Sequence, residues 1–158
     1  MENQDNQRQA ILYAYLAGII DGEWTIRITH ERLKKNPNWN FRYNGAISVG
    51  MTNREIVELF RSIFTPNANI HIECVPNRKL MYRWGTSGSN IVPQILKCLL
   101  PYLRVKKQQA ELVIELCEDK ITKRFRRNKG LPVLELRRRE ELYKKVKELN
   151  TTGAAATK

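Results

Sequence analysis

Two acids, Asp21 and Glu23, bracket one glycine where the apolar run YLAGII ends, and the chain then passes directly into TIRITHE. Carboxylates are the hard oxygen donors that a divalent cation takes. A helix C-terminus carries partial negative charge, so acids placed there are unfavourable unless a cation is held nearby. Asp21 and Glu23 therefore ask for a positive partner. The other chemistry-bearing types are poorly placed. His30 and His71 are too few and too scattered for a histidine-metal centre, and Cys74, Cys98 and Cys117 show no CxxC spacing and read as reduced thiols. Chemistry in this chain rests on carboxylates and lysines.

The elements that must hold these groups follow from hydrophobic periodicity. Ile11, Leu12, Tyr15, Leu16, Ile19 and Ile20 recur at helical spacing, which predicts a helix from Arg8 to Gly22. Ala14 and Gly18, one turn apart, give that helix a small-residue face. TIRITHE (25–31) and FRYNGAISVGM (41–51) alternate with the period of half-buried strands. Asn53 reads as the N-cap of REIVELFRSIF. A hairpin is expected around Pro76-Asn77-Arg78, burying Ile70, Ile72 and Cys74 against Leu80, Tyr82 and Trp84. Helices follow at IVPQILKCLL, closed by Pro101, at Leu103 to Thr122, and at Val133 to Leu149. The predicted fold class is α+β, an αββαββα core with an antiparallel four-stranded, saddle-like sheet and additional C-terminal helices. One domain is expected over 1–149, with 150–158 a disordered tail.

The chain has 158 residues, 28 Lys and Arg against 16 Asp and Glu, a formal net charge of +12 and a pI near 9.9. Such a balance points to a polyanionic partner, DNA or RNA. A membrane is the weaker choice, because the apolar runs stop short of a span and MENQDNQRQ is unlike a signal peptide. An intracellular location is expected, in a prokaryotic cytoplasm or an organelle.

The octet LAGIIDGE (16–23) resembles the LAGLIDADG motif of homing endonucleases. The element order resembles that family's core, and LPYLRVKKQQAELVIEL (100–116) is similar to the lysine-bearing segment its members carry late in the core. The resemblance spans most of residues 8 to 123. It implies a single-motif, homodimeric, site-specific DNA endonuclease that cuts both strands of a long pseudo-palindromic site and leaves short 3′ overhangs. The family pattern carries over as metal binding by Glu23 with the Gly22 carbonyl, an active-site role for Lys106, orientation of the helix end by Asp21, and an auxiliary catalytic role for Arg54. It further implies Mg²⁺ as cofactor, with Mn²⁺ as substitute and Ca²⁺ bound without cleavage, and a dimer interface at Ala14 and Gly18. The sequence departs from the family at Trp24, where a small residue is usual.

A twisted antiparallel ribbon fits the DNA major groove. Arg27, Thr29, Arg42, Asn44, Ser48 and Arg83 are the expected base readers. Arg104 and Lys107 are assigned to the phosphate backbone, together with the basic series Lys120, Lys123, Arg124, Arg126, Arg127, Lys129, Arg137, Arg138 and Arg139. The alternatives on the same scaffold are an intron-RNA maturase and a non-catalytic DNA-binding regulator.

Overall fold

The computed structural model describes residues 2–23, 25–32, 41–123 and 131–155. Its elements run α1 (Glu2–Glu23), β1 (Thr25–Arg32), β2 (Phe41–Met51), α2 (Arg54–Phe64), β3 (His71–Glu73), β4 (Met81–Ser87), α3 (Ile91–Leu99), α4 (Lys107–Thr122) and α5 (Val133–Ala155). The strands form one antiparallel sheet in the order β1-β2-β4-β3. The α+β class and the four-stranded antiparallel sheet are as the sequence predicts.

Register divides the sheet into two faces. Ile26 stands opposite Ile47, Ile28 opposite Gly45 and Val49 opposite Trp84, all toward the helices. Arg27 opposite Ala46, Thr29 opposite Asn44, Glu31 opposite Arg42 and Gly50 opposite Arg83 make up the other face. The core joins Leu16 and Ile20 of α1, Phe60 of α2, Leu96 of α3 and Leu116 of α4 to the inner strand residues. Asn53 caps α2 as expected, its Oδ1 accepting from the backbone N–H of Glu55 at 3.0 Å.

Helix α4 lies so close to β2 that only glycine fits beneath it. A Cβ on Gly45 would stand 2.7 Å from Val113 Cγ1 and 2.8 Å from Cys117 Sγ. On the same helix-covered face, the Tyr43 hydroxyl donates to Glu140 Oε2, which ties β2 to α5.

Four boundaries differ from the sequence reading. Helix α1 begins at Glu2 rather than Arg8, because a polar first turn carries no apolar period. Helix α4 begins at Lys107 rather than Leu103. Helix α5 continues to Ala155, and Asn150 Nδ2 donates to the Ile26 carbonyl at 2.9 Å, so residues 150–155 belong to a helix. The hairpin forms around Asn77, whose φ is 63°, yet β3 is three residues long and Ile72, Cys74 and Leu80 are exposed. Trp84 alone of the expected hairpin pairs is fully buried.

Gly45→Ala is expected to lower unfolding free energy by ~1–3 kcal/mol through overpacking. Urea denaturation followed by circular dichroism reads this directly, and an unchanged midpoint would show that α4 can retreat from the sheet.

Candidate functional site

The last turn of α1 meets the first turn of α4. At the end of α1 the backbone carbonyls lack intrahelical partners, and at the start of α4 the N–H groups do. Asp21 holds the turn that leads into α4: its Oδ2 accepts from the Arg104 N–H at 2.7 Å and its Oδ1 from the N–H of the N-cap residue Lys106 at 2.9 Å. Lys106 meets the end of α1, its Nζ donating to the Ile20 carbonyl at 2.8 Å. Both oxygens of Asp21 are thus engaged in holding the 104–106 turn. The same contacts explain why α4 starts after Lys106 rather than at Leu103.

Burial pushes the Lys106 ammonium below the usual lysine range, while the charges of Asp21 and Glu23 pull it back up. Glu23, the final residue of α1, is exposed and has no hydrogen bond or ion pair among the described residues. Gly22 is exposed beside it, and a Cβ there would meet nothing within 4 Å. One accessible carboxylate, next to a helix-end carbonyl, is a donor set that fits a hard divalent cation. Among the described residues, no group of three or more His, Cys, Asp or Glu could hold a metal. One chain therefore brings one unengaged acid to this place.

The outward face of α1 is apolar and low. Ile11 is 65% and Tyr15 51% exposed, and Ala14 and Gly18 lie exposed between them.

The six expected readers all fall on the sheet face that points away from the helices. Arg27, Arg42 and Arg83 are exposed, and Thr29, Asn44 and Ser48 are half-buried. Arg83 is paired with Glu73 at 2.6 Å. Arg104 and Lys107 are exposed on either side of the α1–α4 junction. Arg54 is engaged elsewhere, paired with Glu58 at 2.7 Å and lying 5.9 Å over the Tyr82 ring.

The basic series divides. Arg137 is exposed, but Arg138 bonds Glu115 at 2.8 Å and Asp119 at 2.7 Å, and Arg139 is 4% exposed and bonds Glu135 at 2.8 Å. Arg138 braces α5 against α4, and Arg139 is a core residue; this corrects the expectation that Arg139 faces a phosphate backbone, since its guanidinium is out of reach. Lys120 also turns inward, donating to the Tyr43 carbonyl at 2.6 Å and to Asn44 Oδ1. Its pKa is lowered to about 8, first by burial and then by Arg139 and Arg42. The sequence carried a signal for this, because Lys120 continues the buried spacing of Val113, Leu116 and Cys117. Trp24, Arg124, Arg126, Arg127 and Lys129 lie outside the described residues.

Solved structures place this geometry among known folds. No protein-family model matches the chain, and no curated protein does. The chain is similar to the homing endonuclease I-CvuI in complex with an I-CreI target in the presence of magnesium, at 20% identity and a TM-score of 0.71, over 90% of this chain and 83% of that one. It is similar to the archaeal intron-encoded homing endonuclease I-Vdi141I complexed with DNA, at 16% identity and a TM-score of 0.67, over 88% and 84% of the two chains. It also matches the LAGLIDADG homing endonuclease I-GzeII in complex with its DNA target, at 14% identity and a TM-score of 0.64, over 83% of this chain but 43% of that one. The fold is that of the LAGLIDADG homing endonucleases.

Asp21→Asn keeps the shape but leaves one oxygen for the two backbone N–H groups and sets an NH₂ against the other. It is expected to cost ~1.5–3 kcal/mol in urea denaturation; a loss no larger than that of an exposed acid would contradict the structural role of Asp21. Lys120 gives a pH signature of definite sign. Its folded pKa of about 8 lies below the ordinary lysine value of 10.5. Between those values the unfolded chain binds the extra proton, so stability from this group rises with pH across that window, and the cost of the buried charge is fully present below it. Relative to Lys120→Met, the unsubstituted protein should gain unfolding free energy between about pH 7.5 and pH 10, and a flat difference would contradict the burial of this ammonium.

Proposed function

We propose that this chain is a site-specific, divalent-metal-dependent double-strand DNA endonuclease that acts as a homodimer on a long pseudo-palindromic site and leaves short 3′ overhangs. The observation that carries the reading is the placement of an unengaged Glu23 carboxylate beside the Lys106 ammonium at one helix end. The solved structures of like fold point the same way, since I-CvuI, I-Vdi141I and I-GzeII are homing endonucleases in complex with DNA. No helix among the described residues is long and apolar enough to cross a membrane.

Glu23 and the Gly22 carbonyl are the groups that would hold Mg²⁺, with Mn²⁺ as a substitute and Ca²⁺ bound without cleavage. The ion, when bound, supplies an activated water and charge stabilisation at the leaving 3′ oxygen. Lys106, whose Nζ is held at this helix end by the Ile20 carbonyl, would stabilise negative charge as it develops on the phosphate. Asp21 holds the Lys106 backbone N–H, so metal binding would fall to Glu23 and the Gly22 carbonyl. Arg104 and Lys107 flank this centre and take the adjoining phosphates. Arg27, Thr29, Arg42, Asn44, Ser48 and Arg83 read base edges from the outer face of the sheet.

Homodimerisation follows from incompleteness. A single chain offers one unengaged acid at the centre and exposes the apolar, small-residue face of α1. It spans 83% of I-CvuI but 43% of I-GzeII. Two copies paired along α1 through Ala14 and Gly18 would place two Glu23 ends together, one for each strand.

The test is selection of cleaved duplexes from a randomised library with Mg²⁺. One long pseudo-palindromic site, cut by the parent and not by Glu23→Gln, is the expected result. Lys106→Ala should still bind that site while cutting ~10²–10³-fold more slowly. Full cleavage by Glu23→Gln would overturn the mechanism. Binding without cutting would favour a regulator, and no enrichment of any duplex would favour intron RNA.

A further inference from the structure

Strand β4 pairs with β2 only from Ala46 onward, so among the described residues no strand pairs with Tyr43 and Asn44 on the edge of β2 that faces away from β1. Lys120 of α4 reaches this edge and donates to the Tyr43 carbonyl at 2.6 Å and to Asn44 Oδ1. On its other side, the Asn44 carbonyl accepts from Thr29 Oγ1 at 3.3 Å, which fixes the backbone there. An ammonium group can only donate. The amide oxygen of Asn44 must therefore face Lys120, and its NH₂ group must face away.

Unconstrained asparagine pairs with adenine by using both ends of its amide, the oxygen accepting from N6 and the nitrogen donating to N7. The Asn44 amide is turned with its oxygen toward Lys120, which leaves its NH₂ end to face away. What it offers outward is a pair of donors, backed by the positive charges of Lys120, Arg42 and Arg139. An adenine amino group at this place would bring donor against donor. Guanine presents two acceptors, N7 and O6, and no amino group in the major groove.

Resting on the proposed DNA-reading role of the sheet, we propose that Lys120 is a specificity-determining residue, which holds the Asn44 amide as a donor and so makes this position of the sheet select guanine over adenine. Lys120 acts as a positioning residue, and Asn44 makes the contact.

The experiment is selection of bound duplexes from a randomised library with the full chain, in parallel for the parent, Asn44→Ala, Lys120→Met and Asn44→Asp. Asn44→Ala identifies the base pair by the preference it erases. At that pair the parent should favour guanine over adenine ~10-fold or more. Lys120→Met should move the preference toward adenine and leave the other positions as they were, whereas a merely structural role would weaken enrichment at every position alike. Should Lys120→Met fail to fold, Asn44→Asp decides: it keeps a partner for Lys120 but offers an acceptor, so the preference should move from guanine to cytosine. An adenine preference in the parent, no position altered by Asn44→Ala, or an unchanged preference in both Lys120→Met and Asn44→Asp would each overturn the inference alone. Failure of the parent to enrich any duplex would overturn the DNA-reading role, and this inference with it.

Discussion

The interaction on which the rest of the molecule depends is the reciprocal clasp between the end of α1 and the start of α4. Asp21 accepts from two N–H groups at the start of α4, and Lys106 donates to a carbonyl at the end of α1. Each helix end thus meets a charged side chain from the other segment, of the sign that its partial charge favours. The clasp joins residues 85 apart in sequence. It fixes Glu23 as the next accessible acid beyond the joint, and it fixes the point from which α4 departs.

What α4 does afterwards explains why that departure point matters. Val113 and Cys117 press onto Gly45 and set the height of the helix above β2. One turn further on, Lys120 reaches Asn44. A single straight element therefore connects the acidic end of α1 to the outer face of the sheet, over about 21 Å from Lys106 to Lys120 at helical rise. In the proposed function, the phosphate-facing Lys106 and the Lys120 that positions Asn44 would be held in one frame, because they lie at the two ends of α4. The excess of positive charge is spread over the same frame in two uses. Arg138, Lys97 and Lys123 are paired with acids that stitch helices together, and Arg139 is paired with Glu135 within α5. Arg27 and Arg42 stand exposed on the sheet with no acid partner among the described residues, where a polyanion can reach them.

Alternation placed both long strands and both faces of the sheet, because a side-chain period of two leaves little freedom once one face is apolar. The octet and the late lysine segment located Asp21, Glu23 and Lys106. The clasp between them was not legible, since half of it is made by backbone N–H groups at Arg104 and Lys106, which residue type does not reveal. The basic series shows the same limit from the other side. Lys120 and Arg139 look like solvated charges in a run of similar charges, and only their spacing against Val113 and Glu135 distinguishes them as inward-facing. Helix ends were missed where polar residues continue a helix without an apolar stripe, as in the first turns of α1 and the last of α5.

The proposed two-fold assembly carries an electrostatic tension that the clasp already begins to relieve. Pairing α1 helices through Ala14 and Gly18 would cover Ile11 and Tyr15, whose exposure is unfavourable in a lone chain. The same pairing would bring two Glu23 carboxylates to adjoining helix ends, where the partial negative charges add to theirs. Within each copy, the Lys106 ammonium offsets part of this, and its partial burial means that the attraction is less screened than at an open surface. The exposed Glu23 carboxylates, one from each copy, would still repel each other across the pair. Cations and the apolar face of α1 are then linked: hydrophobic contact favours the pair, and bound divalent metal removes the repulsion that opposes it. In that arrangement the acids are tolerated at a helix end because assembly and metal binding support each other.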